Sequence, residues 1–221
     1  MSSLPRVGLL GLGQRGLQHL KALWQLQSNG QCNVVALGDK FTENLEESKI
    51  RQYVPDFASA GVGPNPIYTT TEFSSLLSQR LDALYVCLPP NVHNGEVIAA
   101  AEAGINLFVE KPMSLYLNEA LAMQQAIDNA GVLSCVGFQQ RFDVRHEAVE
   151  QFLTGREAIM ATYTMHGALE GHNVKHTHTE IEGGPGNRVW TANKEWSGMT
   201  VVEGGIHPLD CLLYTSDAAD E

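Results

Sequence analysis

The chain has 221 residues, of which 43% are hydrophobic and 18% are charged, and its formal net charge is −11. These proportions are typical of a globular protein and not of a disordered one. The acidic balance argues against a nucleic-acid partner and against a polybasic membrane anchor. No apolar run is long enough to span a bilayer, so we expect a globular protein that acts on small molecules.

The first 137 residues alternate between strand-like and helix-like segments. Apolar runs predict buried parallel strands at 6–12, 33–39, 81–89, 105–111 and 132–138, with a weaker strand at 66–70. Helical patterns lie between them at 15–28, 42–52, 72–79, 93–103 and 117–130. Their apolar faces are marked by Val97, Ile98 and Ala101, and by Leu117, Leu121 and Ile127. This alternation predicts an α/β domain with a doubly wound parallel sheet over residues 1–137.

The alternation of strand-like and helix-like segments ends after Phe138. Residues 143–155 predict a further helix, 158–169 have the composition of a strand, and 170–198 form a loop rich in Gly, His and Asn. We interpret 138–210 as the start of a second domain of α+β type.

The four cysteines, Cys32, Cys87, Cys135 and Cys211, lie far apart and form no CxxC motif. We predict buried free thiols and a cytoplasmic protein. Glycine-rich sequence follows the first apolar run where a signal peptide would have its cleavage site, so we interpret that run as a strand.

A glycine pattern, Gly11-x-Gly13-x-x-Gly16, joins the first predicted strand to the first helix. Gly11 permits a tight turn, Gly13 permits close approach to a pyrophosphate, and Gly16 permits close packing of helix and strand. The helix then presents free N–H groups at Gln14 and Arg15 to the phosphates. The pattern predicts a dinucleotide site, although a tight turn without a ligand has the same signature.

Asp39 ends the second predicted strand, where an acidic side chain accepts hydrogen bonds from both ribose hydroxyls. Its carboxylate would repel a 2′-phosphate, which favours NAD over NADP. Lys40 beside it weakens that preference, since a cation tolerates the phosphate. A turn-forming Asp without a ligand is the alternative.

Residues 87–115 contain the more specific motifs. The chain resembles the Gfo/Idh/MocA family of NAD(P)-dependent oxidoreductases in the glycine turn and in Pro89-Pro90-Asn91-x-His93, Glu110-Lys111-Pro112, residues 137–142 and Gly205-x-His207-x-x-Asp210. The resemblance spans residues 6–210. It implies hydride transfer between a sugar, cyclitol or related polyol and the nicotinamide, in a homo-oligomer whose second domain carries a mainly antiparallel sheet.

Lys111 follows an apolar strand, at the sheet edge where open α/β sheets bind ligands. A Lys made less basic by burial and by the nicotinamide charge is suited to take the hydroxyl proton. The alternative is an exposed Lys at a strand end. The resemblance implies that Lys111 faces both cofactor and substrate, and that Glu110 belongs to the cofactor site. We expect a cis Lys111–Pro112 bond.

His207 is the second catalytic candidate, because imidazole titrates near neutrality. A His satisfied by backbone at a helix start is the alternative. Members of the family carry an Asp four residues earlier that acts with this His on the substrate, whereas this chain has Glu203. We interpret Asp210 as structural.

Pro89, Asn91 and His93 are predicted to shape the cofactor loop, and Asn91 is equally compatible with a cap for the helix at 93–103. Gln139 and Arg141 follow the last strand, and we predict that they contact the substrate. For Arg141 a structural ion pair explains the residue equally well.

His166, His172, His176 and His178 are compatible with a zinc site. They lie in a predicted loop without Cys, and hydride transfer to NAD requires no metal, so we expect none. We predict instead that the loop borders the substrate pocket, with Trp190 and Trp196 stacking on the sugar or packing.

Residues 211–221 resemble the conceptual translation of a transposase-adapter sequence. We expect this tail to be read-through, and the chain to be an inactive N-terminal fragment. Two other functions stay open: a glycosidase that uses bound NAD for transient oxidation, and a non-enzymatic NAD(P)-sensing regulator. Lys111 and His207 argue against the regulator, which needs neither.

Overall fold

The computed structural model describes residues 3–58, 66–156, 160, 162, 164 and 194–215. These residues form two compact units, the first ending at Val136 and the second beginning at Gly137. The predicted strand at 158–169 and the predicted loop at 170–198 lie almost wholly outside the described residues. At the described end of that loop, Lys194–Ser197 is helical, so the loop prediction was wrong there.

The first unit contains a six-stranded sheet in which every pairing is parallel. Across the sheet the strands lie in the order third, second, first, fourth, fifth and sixth along the chain, so the winding reverses between the first and the fourth strands. Sheets with this reversal bind ligands at the carboxyl ends of the strands beside it. All six predicted strands are present, which confirms the doubly wound α/β fold: β1 (Arg6–Leu10), β2 (Asn33–Gly38), β3 (Tyr68–Thr70), β4 (Ala83–Val86), β5 (Asn106–Val109) and β6 (Ser134–Val136).

Between these strands the described residues form five α-helices: α1 (Gln14–Ser28), α2 (Glu47–Ile50), α3 (Phe73–Leu77), α4 (Glu96–Glu102) and α5 (Leu117–Ala130). The helix predicted at 42–52 is divided into a 3-10 helix, Thr42–Leu45, and α2. The helix predicted from residue 93 begins at Glu96, because Gly95 immediately before it has φ +84°. Asn91 therefore does not cap α4, and that interpretation was wrong.

Two apolar clusters cover the two faces of the sheet. Leu9 belongs to the cluster with Leu20 and Trp24 of α1, whereas the next residue, Leu10, packs with Val97 of α4 and Met123 of α5. This alternation follows from the two-residue period of a strand. A sheet buried on both faces explains why its strands are almost continuously apolar.

The apolar face of α5 differs from the prediction. Met123, Ala126 and Ile127 are buried, but Leu117 and Leu121 are 75% and 52% exposed. Ten residues separate Leu117 from Ile127, which places them about 80° apart around an ideal helix. The prediction grouped side chains from two different stripes of the helix.

The second unit is helical where it is described. It contains a 3-10 helix, Gln139–Phe142, followed by α6 (Val144–Leu153), α7 (Lys194–Ser197), α8 (Met199–Glu203) and α9 (Ile206–Thr215). The predicted helix at 143–155 is therefore confirmed. Asp143 caps α6 by accepting the Arg145 N–H at 2.9 Å. The first residues of the proposed tail continue α9, and the origin of the tail stays a prediction.

All four cysteines are free thiols, as predicted. Cys32 and Cys87 are buried, Cys211 is half-buried, and Cys135 is exposed. The predicted burial of Cys135 was wrong because β6 is an edge strand, paired with β5 alone. In the described part of the chain, no helix has the length and apolar character to cross a membrane.

Candidate functional site

The glycine turn between β1 and α1 is held by close backbone contacts. Gly11 has φ +90°, and a Cβ there would lie 2.5 Å from the Cys87 carbonyl oxygen. A Cβ on Gly16 would lie only 1.8 Å from the Gly11 carbonyl oxygen. The Gly11 N–H also donates to the Gly38 carbonyl at 2.8 Å. Packing alone therefore requires glycine at 11 and 16.

Gly13 differs from these two glycines. Its φ of −65° and ψ of −175° are open to any residue, so backbone strain does not explain the glycine. It precedes α1, whose first turn carries no acidic residue and, within the described residues, no side-chain cap. Gln14 and Arg15 are exposed there. The N–H groups of this turn are oriented for an anion, and a missing side chain at Gly13 allows it to approach.

The Asp39 carboxylate joins the glycine turn to the end of β2. One oxygen accepts the Leu12 N–H at 2.6 Å and the other accepts the Phe41 N–H at 2.8 Å. Asp39 is 6% exposed, whereas Lys40 points to solvent. A carboxylate oxygen has two acceptor positions, so both oxygens retain capacity for a hydroxyl donor.

An open groove of about 520 Å³ lies beside Asp39. Its walls come from the segments that follow β2 and β3, namely Thr42, Leu45, Glu46 and Thr69–Thr71. The Asp39 N–H donates to the carbonyl of Thr70, one of the lining residues, at 3.2 Å, so the groove borders the end of β2. Sequence analysis missed this groove. The available signal was the run of three threonines that closes the weak strand at 66–70.

The loop after β4 contains Pro89, Asn91 and His93. Asn91 is exposed, whereas the His93 ring is buried, with Nδ1 hydrogen-bonded to the Glu96 carboxylate. The other Glu96 oxygen accepts the Asn94 N–H at 2.7 Å. Burial raises the pKa of the Glu96 carboxyl, but the bonds from His93 and Asn94 outweigh it, so its pKa lies below the usual value. The buried His93 ring thus holds the loop in place through its hydrogen bond to Glu96.

Lys111 lies two residues after the end of β5 and is half-buried, and its bond to Pro112 is cis as predicted. Glu110, 8% exposed, does not extend into solvent. One of its oxygens lies 2.6 Å from His19 Nε2, and the other accepts the Lys111 N–H at 3.1 Å. Burial, and then the charge of Glu110, raise the pKa of the neighbouring Cys87 thiol. The contact of His19 with Glu110 was not predicted from the sequence, although His19 follows Gly16 by three positions.

The carboxyl ends of parallel strands lie at one edge of a sheet. This edge therefore collects the glycine turn after β1, Asp39 after β2, the Pro89–His93 loop after β4 and Lys111 after β5. The predicted cofactor residues of the first unit are thus brought together by the topology.

In the second unit, His207 is the second residue of α9 and is 8% exposed. Its ring meets Phe138 nearly edge-on, with the ring centroids 6.3 Å apart. Glu203 ends α8, and a turn at Gly204 and Gly205 separates it from His207. A Cβ on Gly205 would lie 2.2 Å from the Val201 carbonyl oxygen, so this turn requires glycine.

Arg141 pairs with Asp210 through Nε at 2.9 Å and a terminal nitrogen at 2.6 Å. This geometry favours the ion-pair interpretation of Arg141 and the structural interpretation of Asp210. Gln139 is exposed, and its predicted role in substrate binding stays a prediction.

The candidate metal ligands His166, His172, His176 and His178 lie outside the described residues, as does Trp190. Over the ranges that are described, no group of three His, Cys, Asp or Glu side chains could hold a metal ion. Trp196 is half-buried in α7.

The sheet order, the glycine turn and the acidic end of β2 define a dinucleotide-binding domain of Rossmann type. Residues 5–138 match the model of the Gfo/Idh/MocA family, described as an oxidoreductase family with an NAD-binding Rossmann fold. The chain belongs to this family.

Similar proteins include dehydrogenases of inositols. The chain is 31% identical over 138 residues to the scyllo-inositol 2-dehydrogenase (NAD(+)) of Bacillus subtilis, an alignment that covers 62% of this chain and 36% of that protein. It is 30% identical over 159 residues to the myo-inositol 2-dehydrogenase of Thermotoga maritima, covering 70% and 43% respectively. The chain therefore spans less than half the length of these curated relatives.

Among solved structures, the fold is similar to that of myo-inositol 2-dehydrogenase from Lactobacillus plantarum. The TM-score is 0.71 at 20% identity, covering 96% of this chain and 56% of the other. The WlbA dehydrogenase of Bordetella pertussis, crystallised with NADH and UDP-GlcNAcA, gives a TM-score of 0.70 at 22% identity, covering 97% and 56%. At this identity the two structures support the fold.

Proposed function

We propose that the protein is an NAD-dependent oxidoreductase that transfers a hydride between a sugar, cyclitol or related polyol and the nicotinamide. The observation that carries the proposal is the position of Lys111. A half-buried lysine follows β5 at the same sheet edge as the glycine turn and Asp39. That edge is where a dinucleotide presents its nicotinamide in folds of this class.

The residues of the first unit fit a dinucleotide. Gly13 leaves room for the pyrophosphate at the start of α1, and Gln14 and Arg15 border that position. The groove beside Asp39 suits the adenosine end. Asp39 and the Glu46 that lines this groove both disfavour a 2′-phosphate, whereas the exposed Lys40 would favour it. This balance supports NAD over NADP.

The bound nicotinamide supplies a hydride acceptor. The chain must then remove the proton of the substrate hydroxyl, and we assign this to the Lys111 amine. In the second unit, we assign His207, Glu203 and Gln139 to substrate binding. Because Arg141 is ion-paired to Asp210, we assign it a structural role in holding α9 and not a role in substrate binding.

The relatives named for scyllo-inositol and myo-inositol support a cyclitol as the first substrate class to test. WlbA, crystallised with UDP-GlcNAcA, supports including sugar nucleotides. The free thiols support a reducing compartment, and we propose a cytoplasmic location. We also propose a homo-oligomer.

The test is an assay of the protein expressed from its complete gene, with NAD⁺ and a panel of cyclitols, sugars and sugar nucleotides. The proposal predicts that free NADH accumulates with at least one member. Hydrolysis of a glycoside without release of NADH would identify the glycosidase instead. Tight NADH binding with no turnover on any substrate would favour the regulator. Either result would overturn the proposal.

A further inference from the structure

His19 lies on the face of α1 that packs against the sheet. Its ring centroid is 4.9 Å from that of Phe108 on β5 and 5.7 Å from that of Tyr85 on β4. Those two rings stack on each other, with centroids 4.7 Å apart. The imidazole is therefore held by two aromatic neighbours, and its position in the unit is restricted.

The imidazole contacts the carboxylate of Glu110, with 2.6 Å between Nε2 and Oε1. The side chain of Glu110 is 10% exposed and that of His19 is 23% exposed. Arg15 Nε reaches the same oxygen only at 4.0 Å. A carboxylate that is so little exposed to solvent needs close hydrogen-bond partners. Of the two side chains, His19 lies closer to the Glu110 carboxylate than Arg15 does.

The second oxygen of Glu110 accepts the Lys111 backbone N–H at 3.1 Å. The carboxylate is thus held at both ends, by α1 on one side and by the peptide that carries Lys111 on the other. This contact links the helix that begins at the glycine turn to the residue after β5.

We propose that His19 is a positioning residue that sets the place of Lys111 through Glu110. The inference rests on the proposed function, because the placement of Lys111 matters for catalysis only if Lys111 takes the substrate proton. Fixing Glu110 restrains the peptide plane from which the lysine side chain departs. Proton transfer depends steeply on such placement, since a shift of about 1 Å costs on the order of 100-fold in rate. The same helix would support the pyrophosphate, so cofactor and lysine share one rigid element.

Three variants of the full 221-residue chain test this link. His19→Leu removes the donor and keeps an apolar side chain against Tyr85 and Phe108. His19→Gln keeps an N–H donor for Glu110. Gln25→Leu is the matched control, because Gln25 is exposed on the same helix. Thermal unfolding establishes that each variant is folded.

The measurement is the rate at which limiting acetic anhydride acetylates Lys111, taken relative to Lys40 in the same chain by peptide mass spectrometry. For His19→Leu we expect this relative rate to change by roughly threefold or more, since loss of the anchor alters the exposure and surroundings of the amine. His19→Gln and Gln25→Leu should keep the wild-type rate. An unchanged rate in folded His19→Leu, or an equal change in His19→Gln, would overturn the proposal.

Glu110→Gln provides a second route if His19→Leu does not fold, because it alters the other partner of the same contact. It should change the relative rate for Lys111 by roughly threefold or more, and an unchanged rate would overturn the proposal. Acetylation requires no turnover. Inactivity of the complete protein towards every substrate would therefore remove the proposed function and leave the link between His19 and Lys111 standing.

Discussion

Arg141 and Asp210 are joined by a two-pronged ion pair, although 69 residues separate them in the chain. Asp210 is 7% exposed, whereas the Arg141 side chain is 42% exposed. The pair fastens α9 to the 3-10 helix Gln139–Phe142. The helix that carries His207 is therefore held to the start of the second unit.

Arg141→Gln should destabilise the second unit by about 1–2 kcal/mol, a value that allows for solvent screening of a partly exposed guanidinium. The cause is the loss of charged donors to a buried carboxylate. Urea unfolding of the 221-residue chain measures the change. Arg145→Gln is the control, because the Arg145–Asp143 pair is exposed, and it should leave stability unchanged. Equal effects of the two variants would contradict a structural role specific to Arg141.

Gly13→Ala and Gly16→Ala should separate ligand binding from folding. The conformation of Gly13 accepts alanine, so the variant should keep the wild-type melting temperature. Its NADH affinity should fall by roughly tenfold or more, because the added methyl occupies the approach of the pyrophosphate. Gly16→Ala should lower the melting temperature itself, since its Cβ would overlap the Gly11 carbonyl. Unchanged NADH affinity in Gly13→Ala would contradict the proposed phosphate position.

NADH should bind more tightly than NADPH if, as proposed, the adenosine end lies in the groove lined by Glu46 next to Asp39, because both carboxylates would repel a 2′-phosphate. Glu46→Gln keeps the size of the side chain and should reduce the preference, whereas Lys40→Ala should increase it. Each change is expected to be at most about fivefold, because one solvent-exposed charge interaction contributes up to about 1 kcal/mol. Fluorescence titration with both cofactors measures the ratio. Tighter binding of NADPH by the wild-type chain would overturn the preference.

The hydrogen bonds within the His93–Glu96 pair should make stability depend on pH. The folded pKa of Glu96 is depressed below its ordinary value of 4.5. Its contribution is therefore present above about pH 4.5 and is lost as the pH falls through the folded pKa. We expect Glu96→Gln to be less stable than wild type by about 1 kcal/mol or more at neutral pH. The difference should shrink at about pH 3. Urea unfolding at both pH values tests this, and a difference that grows in acid would contradict it.

The sequence carried enough information for the sheet and for the glycine turn. Continuous apolar runs such as 33–39 occur because both faces of the sheet are buried. Glycine is needed at 11 and 16 because a Cβ at either position would overlap nearby backbone atoms. Partners distant in the chain were not predictable in the same way. His19 meets Glu110 across 91 positions, and only the assembled sheet brings α1 beside the end of β5. The predicted burial of Leu117 was wrong for a related reason, because helical spacing alone does not show which face of α5 packs against the rest of the unit.

Lys111 is the central residue of the proposed mechanism, and one paired measurement tests its role. Turnover and NADH affinity are determined side by side for wild type and Lys111→Ala, in the protein expressed from the complete gene with its best substrate. We predict that kcat falls on the order of 100-fold or more, the usual size of a general acid–base contribution, while NADH affinity changes far less. Unimpaired turnover in Lys111→Ala would contradict the assignment of Lys111 and the mechanism built on it.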